Sequence, residues 1–398
     1  MSRSCDILIV GAGIIGLTLA RELVRSGHED ILIIDKEPEP GLHASGRNSG
    51  VLHAGIYYAP GSLRAVSCLQ GNRLMKEYCR ENDLPLLEAG KVIVARSEEE
   101  LPTLEELYRR ATENGTPVEF IDEKELAQIE PAARTVRNAI YSPETALVDP
   151  KSVLSSLRKD LECSGKVSIL TDCAFQDLIE KNTIRTDRGR MSFRYLINAA
   201  GAWCDRIARP FGIGLDYRLI PFKGLYHRLK ESSECKVKGN IYPVPDIRNP
   251  FLGVHFSKSA TGGVYLGPTA IPAFGRENYG LFEGIDSEAA KIIYEDALLF
   301  CTNPKFRSVA LSEPKKYLPS VFYRDAEKLV KKLEPHDIER ADKVGIRAQL
   351  IDWRNREMGM DFLVESGENS LHILNPISPA FTSSMYLARK MVSEHFSS

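Results

Sequence analysis

The first thirty-five residues contain two apolar runs separated by a stretch with helical spacing. The run at residues 7–10 leads into the glycine pattern GAGIIG at residues 11–16, and the apolar positions of residues 14–23 recur as they do on one face of a helix. A second apolar run, ILIID, ends at Asp35. Strand, glycine turn, helix, strand and acid in this order predict a βαβ unit that binds a dinucleotide.

Each glycine of this pattern has its own physical role. Gly11 allows a tight turn, Gly13 lets the backbone approach a pyrophosphate, and Gly16 lets the helix pack closely on the strand. The helix N-terminus then presents unpaired N–H groups and a partial positive charge to the phosphates. Asp35 follows Gly16 by nineteen residues, where an acid accepts hydrogen bonds from ribose hydroxyls.

The rest of the chain mixes segments of two kinds. Strands typical of a nucleotide-binding sheet are predicted near residues 5, 30, 167, 195 and 371, whereas residues 220–280 alternate short strands and turns as an antiparallel sheet does. Helices are predicted at residues 62–82, 97–115, 151–163, 286–301, 323–341 and 382–396. The predicted fold class is α/β: a Rossmann-like, discontinuous nucleotide-binding domain of residues 1–88, 150–215 and 341–398, with an inserted α+β substrate domain of residues 89–149 and 216–340.

Composition narrows the functional classes. The chain has 398 residues, 43% of them hydrophobic, and a net charge of −2, which gives no indication of a nucleic-acid partner. No apolar run reaches the roughly 18 residues of a membrane span. The first strand is predicted almost at the start, which leaves no room for a signal peptide, and the eight cysteines show no CxxC pair or zinc-like spacing. We therefore expect no metal site and a cytoplasmic location.

The number of dinucleotide patterns distinguishes two cofactors. A flavoprotein that is reduced by NADH usually carries a second glycine fingerprint, and Gly212-Ile213-Gly214 lacks both a third glycine and a preceding strand. A single dinucleotide site favours FAD that is reduced directly by a small substrate. The stretch HASGRNSG at residues 43–50 adds consecutive backbone N–H groups for a long pyrophosphate–flavin ligand.

Several motifs resemble those of known flavoproteins. GAGIIG, Asp35, NAAGAW, GIRAQL and NPISPAFTSS resemble the D-amino-acid-oxidase-like superfamily of FAD oxidoreductases. The blocks HASGRNSGVLHAGIYY, IYPVPD, PFLGVHF and GPTAIPAFGRE are similar to those of the L-2-hydroxyglutarate oxidase/dehydrogenase family, and the resemblance covers nearly the whole chain. It implies an FAD-dependent enzyme that oxidises L-2-hydroxyglutarate to 2-oxoglutarate and passes the electrons to oxygen or a quinone.

The resemblance also implies which residues hold FAD. The glycine loop and the following acid are expected to bind the ADP half, and the next loop to run along the pyrophosphate. Residues 345–347 and 378–382 are expected beside the isoalloxazine, where the start of the last helix stabilises the anionic reduced flavin. The implied cofactor-binding residues are Gly11, Ala12, Gly13, Ile14, Ile15, Gly16, Asp35, Lys36, His43, Ser45, Arg47, Asn48, Ser49, Ala174, Phe175, Ala199, Ala200, Gly201, Trp203, Gly345, Ile346, Arg347, Ser378, Pro379, Ala380, Phe381 and Thr382.

For the chemistry, the resemblance implies hydride transfer from the substrate Cα to the flavin N5 while a base removes the hydroxyl proton. Histidine suits this base, since its ordinary pKa of about 6.5 lies near working pH. His53 and His255 are both candidates. A structural role for either, and a covalent flavin link at His53, are the alternatives.

A substrate with two carboxylates needs cationic partners. Lys223 is grouped with the catalytic histidines, and the expected substrate-binding residues are Tyr57, Tyr58, Tyr242, Arg276 and Arg347, with an ordinary surface position as the alternative for the cations. Lys223 and Leu225 stand where related sequences tend to have arginine and an acid. Because lysine lacks the bidentate geometry of arginine, this departure bears on the choice of substrate.

Two other interpretations stay open. The same flavin chemistry could act on an amino acid, glycerol 3-phosphate or another 2-hydroxy acid, or the chain could be a flavin-binding assembly module with little turnover. Convergence of His53, His255 and Lys223 beside the flavin is expected for an enzyme. Residues 315–333 mix basic and aromatic side chains, so a peripheral contact with the inner face of a membrane is a further expectation, and ordinary surface is its alternative.

Overall fold

Two large sheets organise the protein, which is described here from a computed structural model that covers residues 3–247 and 251–396. The strands are β1 (Arg3–Val10), β2 (Ile31–Ile34), β3 (Val51–Leu52), β4 (Leu86–Leu87), β5 (Lys91–Val94), β6 (Glu119–Asp122), β7 (Asn138–Ser142), β8 (Ala146–Val148), β9 (Val167–Leu170), β10 (Phe175–Glu180), β11 (Thr183–Thr186), β12 (Gly189–Asn198), β13 (Tyr217–Leu229), β14 (Asn240–Pro243), β15 (His255–Lys258), β16 (Val264–Gly267), β17 (Ile271–Pro272), β18 (Ile338–Asp352), β19 (Glu357–Met358), β20 (Val364–Gly367) and β21 (Ser370–Ile373). The α-helices are α1 (Ile14–Arg25), α2 (Leu63–Glu81), α3 (Leu101–Glu113), α4 (Glu123–Ile129), α5 (Pro150–Cys163), α6 (Cys204–Ala208), α7 (Ala289–Thr302), α8 (Pro304–Ser312), α9 (Pro319–Ala326) and α10 (Ala380–His395).

The first sheet is parallel at its centre, in the order β9-β2-β1-β12-β21. Alternate residues of β1 face two different layers: Ile7 and Ile9 pack in the core under α1 and α10, and Leu8 and Val10 pack in the core on the other face. Burial on both faces explains why this strand is a continuous apolar run in the sequence. The carboxyl ends of β1, β2 and β12 therefore meet at one edge, where a ligand binds in folds of this class.

The second sheet has ten strands and is mostly antiparallel. Its longest pair is β13 with β18, whose register runs from Tyr217 opposite Asp352 to Leu229 opposite Ile338. These two strands carry the chain out of the first sheet and back to it. A third sheet has three strands in the order β3-β8-β4, and its residues Leu52, Ala146 and Val148 pack in the same core as α1 and β1. The predicted α/β class with an inserted α+β unit is confirmed.

Two predicted boundaries differ from the structure. The predicted domain boundary at residue 341 falls inside β18, whose pairing with β13 keeps residues 341–352 in the second sheet. The predicted helix at 323–341 is wrong beyond Ala326, where α9 ends. Val330 instead forms a bridge with Ala133, and Pro335 cannot occupy a helix interior because it lacks an N–H donor.

The helices can also be compared with the thickness of a bilayer. Within residues 3–247 and 251–396, no helix combines the length and the apolar character that crossing a membrane requires.

Candidate active site

One cavity of about 620 Å³ lies between the two sheets. Its dinucleotide end, as we call it, is formed by the loop after β1 and the acid after β2, together with residues 41–49. Its histidine end is formed by His53, Tyr242 and His255. The volume lies within the range of about 300–1,000 Å³ that is usual for cofactor and ligand sites.

The glycines at the dinucleotide end fit the roles predicted for them. Gly11 has φ +111°, and a Cβ there would lie 2.5 Å from the carbonyl oxygen of Ala199. A Cβ on Gly16 would lie 2.0 Å from the carbonyl oxygen of Gly11, so the helix can approach the turn only with glycine at this position. A Cβ on Gly13 would stand 3.0 Å from Ser45 Oγ, inside the cradle between two loops.

Asp35 and Ser45 fix the shape of this cradle. Asp35 Oδ2 accepts a hydrogen bond from the Ala12 N–H at 2.7 Å, and its Oδ1 accepts one from the Glu37 N–H at 2.9 Å. Burial raises the pKa of Asp35, and these N–H donors act against that rise. Ser45 Oγ accepts from the Ile14 N–H at 2.9 Å and so joins the second loop to the start of α1.

A segment of the second sheet's domain, residues 276–279, closes over these loops, and we call it the strap. Glu277 forms an ion pair with Lys36 at 2.7 Å and accepts a hydrogen bond from the Trp203 indole N–H at 2.8 Å. The Tyr279 hydroxyl lies 2.7 Å from His43 Nδ1. Glu277 and Tyr279 both line the cavity, and local sequence patterns do not predict this because their partners lie far away along the chain.

Arg276 belongs to the strap but not in the predicted role. Its guanidinium donates to Asp205 Oδ1 at 2.6 Å, to Glu288 Oε2 at 2.8 Å and to the Ala202 carbonyl. Burial opposes the charged form of Arg276, whereas Asp205 and Glu288 raise its pKa. With its donors used by two acids of the protein itself, Arg276 acts as a structural ion pair, which corrects the expectation that it binds a substrate carboxylate.

The histidine end is built from three aromatic rings in contact. Tyr242 stacks on His255 with ring centroids 3.8 Å apart and meets His53 edge-on at 6.4 Å. Burial lowers the pKa of His255 to about 4, against a raising effect of its hydrogen bond to Gly253. Burial, followed by the charges of Lys91, His255 and Arg64, holds the pKa of His53 well below its ordinary value. Both imidazoles are therefore uncharged at neutral pH.

The two histidines differ in how their rings are held. His255 Nδ1 lies 2.8 Å from the Gly253 carbonyl oxygen, which accepts a proton only from Nδ1–H, so Nε2 carries the lone pair. In the described structure His53 Nδ1 has no hydrogen-bond partner, although the backbone N–H of His53 donates to Thr382 Oγ1 at 3.2 Å. The His255 ring is therefore held so that its Nε2 can accept a proton, whereas Nδ1 of His53 has no partner in the described structure.

Three other predicted residues, Lys223, Tyr57 and Tyr58, do not line the cavity. Lys223 stands on β13 between Phe222 and Gly224, which line the cavity; its own Nζ donates to the Gly280 carbonyl at 2.6 Å. Because neighbouring strand residues point to opposite faces, the predicted catalytic role of Lys223 is not supported. Tyr57 and Tyr58 pack in the core behind the wall rather than on its surface, which corrects their predicted contact with substrate.

Arg347 and the start of α10 complete the cavity. Arg347 is buried on β18, and its guanidinium lies 4.9 Å from the Phe251 ring centroid. Burial, with a contribution from Arg64, lowers the pKa of Arg347 to about 9. Residues 378–382 also line the cavity, so α10 directs its N-terminal end, with its partial positive charge, towards it.

Most of the predicted cofactor positions share this cavity. Ala12 and Gly16 lie behind its surface. The predicted residues that line it are Gly11, Gly13, Ile14, Ile15, Asp35, Lys36, His43, Ser45, Arg47, Asn48, Ser49, Ala174, Phe175, Ala199, Ala200, Gly201, Trp203, Gly345, Ile346, Arg347, Ser378, Pro379, Ala380, Phe381 and Thr382, together with His53, Tyr242, His255 and Arg276.

Comparisons with known proteins agree with this architecture. The chain matches the family model of the FAD dependent oxidoreductases over residues 6–393. It is 35% identical to the mitochondrial L-2-hydroxyglutarate dehydrogenase of Homo sapiens, over 99% of this chain and 89% of that protein. It is 36% identical to the L-2-hydroxyglutarate dehydrogenase of Indibacter alkaliphilus, over 96% of each chain.

Solved structures show the same fold at lower identity. The dithionite-reduced L-α-glycerophosphate oxidase of Mycoplasma pneumoniae with FAD bound superimposes with a TM-score of 0.76 at 22% identity, over 98% of this chain and 94% of that one. Glycine oxidase of Geobacillus kaustophilus gives a TM-score of 0.71 at 20% identity, over the same shares. The chain belongs to the FAD-dependent oxidoreductase family, in the group that contains the L-2-hydroxyglutarate dehydrogenases.

Proposed function

We propose that this protein oxidises L-2-hydroxyglutarate to 2-oxoglutarate with FAD as its cofactor. The observation that carries the proposal is a single cavity that joins the glycine cradle to two uncharged histidines and a buried arginine. The named relatives supply the identity of the substrate. The side chains of the cavity explain why a hydroxy acid with anionic carboxylates suits the site.

The dinucleotide end has the features that FAD requires. The glycine cradle leaves room where side chains would clash with backbone, and Asp35 stands at the end of β2 where ribose hydroxyls are bound. The start of α10 offers partial positive charge at the cavity wall, which favours anionic groups. When bound, FAD supplies the electron-accepting chemistry of the reaction.

His255 is the best placed proton acceptor. Its Nδ1–H is held by the Gly253 carbonyl, which orients the ring and leaves Nε2 to accept the proton of a substrate hydroxyl. His53 presents its ring to the same wall and would hydrogen-bond the substrate there. Arg347 provides the cation for a carboxylate, since an anion beside it would stabilise the charged form that burial disfavours.

Anaerobic reduction of the bound flavin tests this proposal. We expect L-2-hydroxyglutarate to bleach the absorbance near 450 nm, while D-2-hydroxyglutarate, glycerol 3-phosphate and amino acids leave it unchanged. Bleaching by glycerol 3-phosphate or an amino acid instead would replace the substrate and keep the flavin chemistry. A protein that holds FAD and is bleached by none of these compounds would contradict the enzymatic interpretation.

We further propose that the electrons pass to oxygen or a quinone from a protein that contacts a membrane surface on the cytoplasmic side. Ten of the fifteen large hydrophobic side chains that are exposed in the described chain lie within residues 274–318, including Leu281 at 67% and Phe282 at 77% exposure. In the predicted stretch 315–333 the large hydrophobic side chains that are exposed, Tyr317 and Leu318, lie near its start, whereas Phe322, Ala326 and Leu329 pack in the core. Such apolar residues among lysines are typical of interfacial contact.

Vesicle flotation tests this surface. We expect the protein to float with vesicles that contain anionic lipid, and Leu281→Ser/Phe282→Ser to reduce the floated fraction without changing flavin content. No flotation of the wild-type protein would contradict the membrane contact.

A further inference from the structure

Lys91 is a buried lysine next to the histidine end that the reaction outlined above does not use. It is the first residue of β5, and only 1% of its surface is exposed. Its Nζ lies 4.6 Å from the ring centroid of Tyr57 and 5.1 Å from that of Tyr242. Across residues 3–247 and 251–396, no acid forms an ion pair with Lys91 and no hydrogen-bond acceptor contacts its Nζ.

This arrangement is unusual for a lysine of a protein core. Buried ammonium groups are normally paired with a carboxylate or bound by several acceptors, since an isolated charge is expensive to remove from water. The contrast within the chain is Lys223, which is equally buried but donates to the Gly280 carbonyl. The faces of two tyrosine rings are the contacts that Lys91 makes, and they favour a cation without neutralising it.

We propose that Lys91, placed behind the Tyr242 ring that stacks on His255, is an electrostatic positioning residue: its charge disfavours an imidazolium at His53 and His255 and draws an anionic substrate to the wall formed by Tyr242. The inference rests on the proposed function for the identity of the anion. Its effect on the two histidines does not depend on that identity.

As pH is lowered, Lys91 takes up a proton before the two histidines do, and the other groups around it stay neutral. Burial raises the pKa values of Tyr57 and Tyr242, and raises that of Cys68 to about 12, so all three stay neutral across the working range. Burial lowers the pKa of Lys91 to about 7, and that of His255 to about 4. Arg64, the other cation near His53, is tied to the carbonyls of Met360 and Ser378.

The charge of Lys91 makes protonation of the two histidines less favourable. As pH falls through about 7, Lys91 becomes charged while both imidazoles are still neutral. A positive charge lowers the pKa of a nearby histidine, and the Lys91 charge lowers that of His53 and of His255. A substrate carboxylate that enters beside Tyr242 would meet an unneutralised positive charge behind the ring, without any imidazolium being formed first.

Two variants and one matched control separate this role from packing. Lys91→Met keeps the length and removes the charge, whereas Lys91→Arg keeps the charge. Lys223→Met removes a buried lysine from the same sheet whose side chain does not face the histidine end. All three are measured as FAD-loaded proteins.

The first readout is the histidine ring signals of the isotope-labelled protein, titrated without substrate and assigned with His53→Gln and His255→Gln. In Lys91→Met we expect the pKa of both histidines to rise, by about one pH unit. Lys91→Arg and Lys223→Met are expected to leave both values close to wild type. Unchanged histidine titration in Lys91→Met would overturn the inference, because a merely structural lysine would leave these values unmoved.

The second readout is the dependence of flavin reduction on L-2-hydroxyglutarate concentration and pH. Lys91→Met is expected to raise the half-saturating concentration about tenfold and to move the acid limb of the rate towards higher pH. A changed histidine titration with no reduction of the wild-type flavin would refute the proposed substrate and keep the role of Lys91. Normal wild-type reduction with unaltered saturation in Lys91→Met would refute the substrate-drawing part of the inference.

Discussion

The two ends of the cavity differ in whether their polar groups have partners within the protein. At the dinucleotide end, Lys36, Glu277 and Arg276 each have charged partners within 3 Å, supplied by the protein itself. At the histidine end, His53 Nδ1 and Lys91 Nζ lack hydrogen-bond partners in the described part of the chain. A satisfied network stabilises the fold, whereas buried polar groups without partners cost stability and are found most often at functional sites.

The same contrast distinguishes the cations that the sequence suggested. Arg276 and Arg347 were both expected to hold substrate carboxylates. The structure gives Arg276 two acids of its own and places Arg347 on the cavity wall, where burial lowers its pKa to about 9. Charge alone therefore does not identify a substrate site; the surroundings of the charge do.

The largest expected effect is at the histidine end. His255→Gln removes the proposed proton acceptor but keeps a side chain of similar length, so the rate of flavin reduction by L-2-hydroxyglutarate should fall by a factor of about 10²–10⁴. FAD content and melting temperature are expected to stay near wild type. His53→Gln serves as the matched comparison: a greater loss in His53→Gln than in His255→Gln would exchange the roles assigned to the two residues.

Removing the Arg276 charge at the dinucleotide end should lower the stability of the fold and leave the rate of flavin reduction almost unchanged. Arg276→Met leaves the buried Asp205 with only its longer ion pair to Arg209, at 3.5 Å, and loss of the main partner of a buried ion pair costs up to about 3–5 kcal/mol in the free energy of unfolding. Chemical denaturation measures this change. Adding Asp205→Asn should restore part of the stability, and a large rise in the half-saturating substrate concentration at normal stability would reinstate Arg276 as a substrate ligand.

The pH dependence of flavin reduction sharpens the same contrast. A histidine with its ordinary pKa of about 6.5 would be about nine-tenths protonated at pH 5.5, and a base in that state loses about tenfold in rate. Burial lowers the pKa of His255 to about 4, so the base stays unprotonated and kcat/KM should be nearly flat from pH 7 down to about 5.5. A fall of about tenfold over that interval, in a protein whose fold persists, would contradict the assignment of a buried neutral base.

How far the sequence predicts each end depends on how local the interactions are. Gly11, Gly16 and Asp35 lie in one short βαβ unit, so their spacing alone predicts the cradle that the structure shows. The strap could not be predicted, because Lys36 and Glu277 are brought together only by the packing of two domains.

Strand register sets a second limit. Lys223 is adjacent to two cavity-lining residues, yet its side chain points to the other face of β13, which no property of the residue itself reveals. Lys91 shows the converse: in KVIVA it looks like the polar end of an ordinary strand, and only the folded chain encloses it between Tyr57 and Tyr242.

The smallest expected effect concerns the strap. Glu277→Gln removes the ion pair with Lys36 but keeps an oxygen that can accept the Trp203 hydrogen bond, so it tests charge alone. A partly exposed pair contributes at most about 1 kcal/mol, and we therefore expect FAD to dissociate up to about fivefold faster.

Release of flavin fluorescence after dilution measures the rate for Glu277→Gln. Glu283→Gln is the matched control, since it removes the same charge from an exposed position nearby that does not line the cavity. Equal rates in the two variants would mean that the strap only joins the domains. A faster rate in Glu277→Gln alone, together with a wild-type rate that rises with added salt, would mean that a charged contact made by the substrate domain holds the cofactor in place, so that this end of the cavity also takes part in function.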